Sequence, residues 1–409
     1  MAMTPNSKRK HDAEVEAEAR REASWSSWLA SYAGSTMFKP TRLLGRGLMR
    51  LGSCPLDATV GIAAAVSSPS ELSPVYEGKR VMAVGGTRGI GRAIVCTLRE
   101  AGAHVTVVGR SAVPFAHVTP KASPDCEAFA ADLSTTVGCR KLVSEVAAAG
   151  VQPFHYLVFT VGAWLATPNP NPNPNPNPEP EPRTRTRARA RTRTRSLIRP
   201  DFADPYTSEG VEKVVALDLL ARHFVLEGLA AAGLLASGGR VLNVLASAQL
   251  VPFITAESIR VRVAAVQPPA TMFTALMPVG VAADAWLQDA ARRHPSLSFV
   301  GMFPGVLPTE LASSTFPSWA LPALTAAMLP VASSAEEVGL AHATVLASPN
   351  AGRRRVSYFN HLLEGRASHP LAYAPELGAW ITSHLEEVAA RVEEKARPKS
   401  QAGAPEAKD

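Results

Sequence analysis

The sequence predicts an α/β fold: a doubly wound parallel sheet of about seven strands, helices on both faces. Three observations carry this. Short apolar runs alternate with amphipathic stretches from Gly78 onward. The first run ends in a glycine-rich turn that opens a helix. Hydrophobic residues make up 46% of the 409-residue chain, enough to bury a large core on both sides of a sheet.

The first strand is "RVMAVGG", and Gly89 to Ala101 follows at helical spacing, with Gly102 as its stop. "HVTVVGR" reads as a second strand and "CEAFAADLS" as a third, followed by a helix to about Ala149. "HYLVFTVG" is a fourth strand, and "SEGVEKVVALDLLARHFVLEGLAAAGLLAS" a long amphipathic helix. "RVLNVLAS", "LSFVGMFPG" and "RVSYFN" supply the remaining strands. The expected organisation is a partly disordered N-terminal extension over 1–75, a single domain over 76–390, and a disordered, polar tail over 391–409. Within the extension, 12–32 could form a helix with Trp25, Trp28, Leu29 and Tyr32 on one face, and Gly45 to Pro74 reads as linker.

One segment breaks the pattern. Asn169 to Arg195 reads NPNPNPNPNPEPEPRTRTRARARTRTR. The six-base repeat AACCCG encodes Asn-Pro, Pro-Glu or Thr-Arg according to frame, so an expanded DNA repeat, or an intron read as exon, accounts for it. Alternating proline removes backbone donors, and the Arg-Thr part has nothing to bury, so 167–197 is expected to be a disordered insert. It follows the fourth strand, where a long loop adds little closure entropy. Its seven Arg and two Glu contribute +5 of the chain's net +7. The remaining +2 gives no compositional support for nucleic-acid binding, and no aromatic residues are interleaved for stacking on bases.

Other classes fall away on similar grounds. Cys54, Cys96, Cys126 and Cys139 show neither paired spacing nor a His pattern, so reduced thiols and no metal are expected. The charged N-terminus lacks an apolar run, which leaves a cytoplasmic location. Val263 to Ala283 is uncharged and long enough to span a bilayer, but its three prolines and Gln267 favour a buried core segment.

The chemistry sits in "VGGTRGIG", Val84 to Gly91. Gly85 and Gly86 make the turn, Gly89 lets the backbone approach a pyrophosphate, and Gly91 permits close helix–strand contact. The helix N-terminus offers N–H groups and positive dipole to phosphates. The end of the second strand selects the nucleotide: an acid there would suit a ribose 2′-hydroxyl, an Arg a 2′-phosphate. The chain has Gly109, Arg110 and Ser111, with Arg88 in the loop as a second cation. That favours NADP(H) over NAD(H).

On these residues the chain resembles the short-chain dehydrogenase/reductase family from about 78 to 390, and with it a Rossmann-type nucleotide-binding fold. The loop Gly85, Thr87, Arg88, Gly89, Ile90, Gly91 is similar to the family's cofactor turn. Asp132-Leu133 matches the pair that contacts adenine. Gly162 is the residue retained of the family's Asn-Asn-Ala-Gly segment. "PGVLPT", with Pro304, Gly305 and Thr309, matches the segment that holds the nicotinamide end. The resemblance implies hydride exchange with a small carbonyl or alcohol substrate, and a homodimer, since the family often pairs.

The family's proton donor is a Tyr four residues before a Lys. This chain has no Tyr between Tyr206 and Tyr358 and no Lys between Lys213 and Lys395. The family's supporting Asn corresponds to Asp218, and its Ser falls on Ala246, leaving Ser247 as the catalytic candidate one residue late. Asp218, His223 and Asp284 could substitute as acids, though helix side chains satisfied at a surface or cap are the plainer reading of the first two. "SIRVRVAAVQPPATMFTALMPVGV" is odd as a helix, with three prolines. The readings left open are an NADP(H)-dependent oxidoreductase, a nucleotide-binding protein without catalysis, a misread gene for an active reductase, and a chain whose folding the insert compromises.

Overall fold

A computed structural model describes residues 57–110, 127–162, 206–245, 253–264, 272–305 and 333–396. The expected insert, the 12–32 helix and the tail beyond 396 lie outside the described residues, as do Ser111, Ser247 and Thr309.

Eight strands form one sheet in the order β3-β2-β1-β4-β5-β6-β7-β8. They are β1 Arg80–Val84, β2 His104–Gly109, β3 Ala128–Ala130, β4 Phe154–Phe159, β5 Leu235–Val244, β6 Ser298–Met302, β7 Val356–Phe359 and β8 Gly365–Arg366. The first seven pair in parallel; β8 turns back antiparallel on β7. The seven strands read from the sequence are present. The eighth is a two-residue pair with no apolar run to announce it.

Strand alternation divides the core in two. Val81 and Ala83 of β1 point to one face, Met82 and Val84 to the other, and all four are buried. On one face lie α1 (Gly89–Glu100) and α6 (Ala335–Ala347). The other carries α2 (Thr136–Ala148), α3 (Ala221–Ala231), α5 (Met272–Arg293) and α7 (Pro375–Ala396). The short helix α4 (Ala256–Val263) precedes α5.

The long amphipathic helix starts with one turn, Lys213–Val215, passes through a π-helical stretch, Ala216–Leu220, and continues as α3. Capping follows the expected chemistry: Thr135 accepts from Gly138 N at the start of α2, and capping boxes open α4 at Thr255 and α6 at Ser334.

The structure differs from the sequence expectation at 57–76, in the proline-bearing stretch, and at 391–396, which continue α7 instead of opening the tail. Residues 57–76 do not behave as linker: Val60, Ala63, Leu72 and Tyr76 are buried, and Tyr76 donates to the Ala343 carbonyl at 2.7 Å. Apolar side chains spaced irregularly among Ser, Pro and Gly were enough to dock this segment on α1 and α6. The proline-bearing stretch is helical on both sides of 265–271, and Pro278 lies inside α5. Among the described residues, no helix is long and apolar enough to cross a membrane.

Candidate nucleotide-binding crevice

β1 has β2 on one side and β4 on the other, so the strand order reverses there, and the carboxyl ends of these strands leave a crevice. The glycine turn hangs from β1. Gly85 N donates to the Val108 carbonyl at 2.9 Å, and Gly85 holds φ +94°, a conformation that favours glycine. Gly91 is fixed by space: a Cβ there would meet the Gly85 carbonyl oxygen at 2.3 Å and Thr160 Oγ1 at 2.4 Å. The turn is therefore clamped between the ends of β1 and β4, where Thr160 and Val161 donate their N–H groups to the Val84 carbonyl.

α1 then starts at Gly89 with no side chain capping its N-terminus. The first-turn N–H groups point out of a helix with no acid in its first turn. Such a helix start could hold an anion, and the glycines before it have no room for a Cβ against the strand ends.

Arg88 and Arg110 are exposed beside the same turn, and Ile90 is half-buried against the core under α1. Asp132 follows β3; its Oδ1 accepts from the Ser134 hydroxyl at 2.7 Å and the Ser134 N–H at 3.1 Å. That turn places Leu133 in the core and leaves Asp132 exposed. Gly305, after β6, has φ +78°, and a Cβ on it would come 2.8 Å from the His361 ring. Pro304 and Gly305 thus sit where the C-terminal end of β6 meets the segment after β7.

Gly162 is exposed at the end of β4, and a Cβ on it would fall 2.7 Å from Asp218 Oδ1. Asp218 is 1% exposed and Arg222, one turn on, is fully buried, so the surface or cap role expected for Asp218 does not hold. Arg222 donates to Asp218 Oδ1 at 3.4 Å, to the Val161 carbonyl at 2.7 Å, to the Val244 carbonyl at 3.2 Å, and to Asn243 Oδ1. One guanidinium ties the ends of β4 and β5 to the helical rod. Burial pushes the Asp218 carboxyl up to about 7, against the pull of Arg222. Its Oδ2 has no hydrogen-bond partner.

His223 and Asp284 are also buried, away from any cap. His223 Nε2 meets Glu386 Oε1 at 2.6 Å, and Trp286 donates to its Nδ1 at 3.3 Å. Asp284 Oδ2 accepts from Ser368, and its carbonyl accepts from Tyr358 at 3.2 Å. Both act as packing links between elements. Arg222 and Asn243 are the site-lining residues that sequence reasoning missed. The i,i+4 spacing of Asp218 and Arg222 was the available signal.

Residues 79–176 match the family model described as short chain dehydrogenase. A stretch of 67 residues is 42% identical to the rhamnolipids biosynthesis 3-oxoacyl-[acyl-carrier-protein] reductase of Pseudomonas aeruginosa; it is 16% of this chain and spans 26% of that relative's length. Among solved structures, the Pseudomonas aeruginosa RhlG/NADP active-site complex aligns over 69% of this chain and 94% of its own, at 19% identity and a TM-score of 0.47. An uncharacterised protein from Mycobacterium paratuberculosis aligns over 78% and 97%, at 15% identity and a TM-score of 0.50.

Proposed function

We propose that this chain, whose residues 79–176 match the short chain dehydrogenase model, belongs to the short-chain dehydrogenase/reductase family and is an NADP(H)-dependent oxidoreductase acting on a small carbonyl or alcohol substrate. The observation that carries the reading is the cradle at Gly85–Gly91, where glycines without room for a Cβ lead into an uncapped helix N-terminus. A nicotinamide dinucleotide bound there would supply hydride to a carbonyl carbon, or accept it from an alcohol.

In this reading the residues divide the work. The turn from Gly85 through Thr87 to Gly91, with the first N–H groups of α1, holds the pyrophosphate. Arg88 and Arg110, with Ser111, take the 2′-phosphate and so prefer NADP(H) to NAD(H). Asp132 and Leu133 flank the adenine. Gly162, Pro304, Gly305 and Thr309 border the nicotinamide end, and Ser247 orients the substrate oxygen. A homodimer and a cytoplasmic location belong to the same proposal.

A second reading is NADP(H) binding without turnover. It is favoured by the lack of any Tyr between Tyr206 and Tyr358 and of any Lys between Lys213 and Lys395. One experiment separates the two: titrate the protein with NADPH, then follow NADPH absorbance across a panel of ketones and aldehydes. Binding with loss of absorbance supports the oxidoreductase. Binding without loss on any substrate supports the second reading, and no binding sinks both.

A further inference from the structure

Behind Gly162 lies a buried set of five charges. Asp218 pairs with Arg222 on the same rod. Glu212, at the start of that rod, pairs with Arg262 of α4 at 2.8 Å, and both are buried. Asp284 of α5 is felt by Arg222 across the core. Three carboxyls and two guanidinium groups thus share this interior, and burial weighs against charge on Asp218. Asp218 stays buried but lies just behind the crevice wall: its Oδ1 backs onto the exposed Gly162, and its Oδ2 has no hydrogen-bond partner.

We propose that Asp218 sets the preference of this crevice between the oxidised and reduced forms of the nicotinamide cofactor. The inference rests on the cofactor reading above, and it goes beyond it by assigning a residue that tunes the bound form. The oxidised ring carries a positive charge and the reduced ring none. An ionised carboxylate behind Gly162 therefore favours the oxidised form, and a protonated one removes that preference. Low-dielectric surroundings make the difference large enough to measure. Burial pushes this carboxyl up to about 7, so the preference switches near neutrality. The sign is fixed: above that value Asp218 is charged and NADP⁺ gains; below it NADPH gains.

The experiment is to measure dissociation constants for NADP⁺ and for NADPH at several pH values either side of about 7, and to take their ratio. Titration of the 2′-phosphate is common to both forms and cancels. We expect Kd(NADPH)/Kd(NADP⁺) to rise about tenfold with pH in the natural protein, and to stay flat in Asp218→Asn. A second measurement needs no variant: calorimetry in two buffers of different ionisation enthalpy should show proton release when NADP⁺ binds near neutral pH, and much less with NADPH. A ratio that does not change with pH in the natural protein overturns the assignment, as does an equal rise in Asp218→Asn. If neither form binds, the cofactor reading itself falls, and this inference with it.

Discussion

Gly109 at the end of β2 lies directly against Thr87 of the glycine turn, so closely that a Cβ on Gly109 would sit 2.4 Å from Thr87 Cγ2. This contact seats the turn on the second strand. It also brings the next residue of each segment, Arg88 and Arg110, to one exposed corner.

Two cations at one corner should read a phosphate together. Arg110→Ala and Arg88→Ala are each expected to raise the Kd for NADPH roughly tenfold, about 1.5 kcal/mol for a lost charge-assisted bond, while NADH binding hardly changes. Fluorescence titration with both cofactors checks it. Equal weakening of NADPH and NADH would show that neither Arg reads the 2′-phosphate.

A Cβ on Gly91 would meet the Gly85 carbonyl, which is backbone and cannot swing aside, as well as Thr160 Oγ1. Gly91→Ala should therefore lower stability by about 1–3 kcal/mol, as overpacking does, and abolish dinucleotide binding. Thermal unfolding with and without NADPH reads both effects. A variant that binds as well as the natural protein would remove the Gly85–Gly91 turn from the cofactor site.

Arg222 is the donor for two strand-end carbonyls, Asn243 and Asp218. Arg222→Leu strands all of them in the core and should cost about 3–5 kcal/mol in urea unfolding. Adding Asp218→Asn should recover part of that loss, because the uncompensated carboxyl is then gone. Strict additivity of the two changes would argue that the pair is not coupled.

His342 is buried in α6, with Nδ1 2.7 Å from the Val338 carbonyl. Burial pulls its value down from 6.5 to about 4. Between those values the unfolded chain binds the proton and the fold does not. Stability is then complete above about 6.5 and declines as pH falls toward about 4, by about 3 kcal/mol at most. Urea midpoints measured along that range should follow this limb in the natural protein and flatten in His342→Gln. A limb unchanged in the variant would place the acid sensitivity elsewhere.

Most of the sheet was legible because parallel strands buried on both faces must be apolar throughout, as RVMAV and HVTVV are. The glycine turn was legible because sterics leave few other residues for Gly85 and Gly91. β8 escaped notice, since Gly365–Arg366 owes its pairing to β7 and not to its own side chains. The Asp218–Arg222 pair escaped because a helix repeats every 3.6 residues whether its polar pair faces water or core. Only the approach of β4 and β5 makes that face interior. The helical path through Pro278 was likewise hidden, because tertiary packing of Val279, Ala282 and Trp286 outweighs the lost backbone bond.

The docking of α7 has a consequence for biosynthesis. Leu377, Ile381, Leu385 and Ala389 cover the layer made by α3 and α5, and Gly378 comes so close that a Cβ would lie 2.6 Å from the Ala285 carbonyl. The ribosome makes this helix after every other described element. Until this helix is made and docks, the nascent protein carries a finished sheet and helices with the apolar strip under α7 still bare. Chaperone demand should peak at that stage of translation, and a stalled or truncated product lacking α7 would be sticky in proportion to the surface that helix hides.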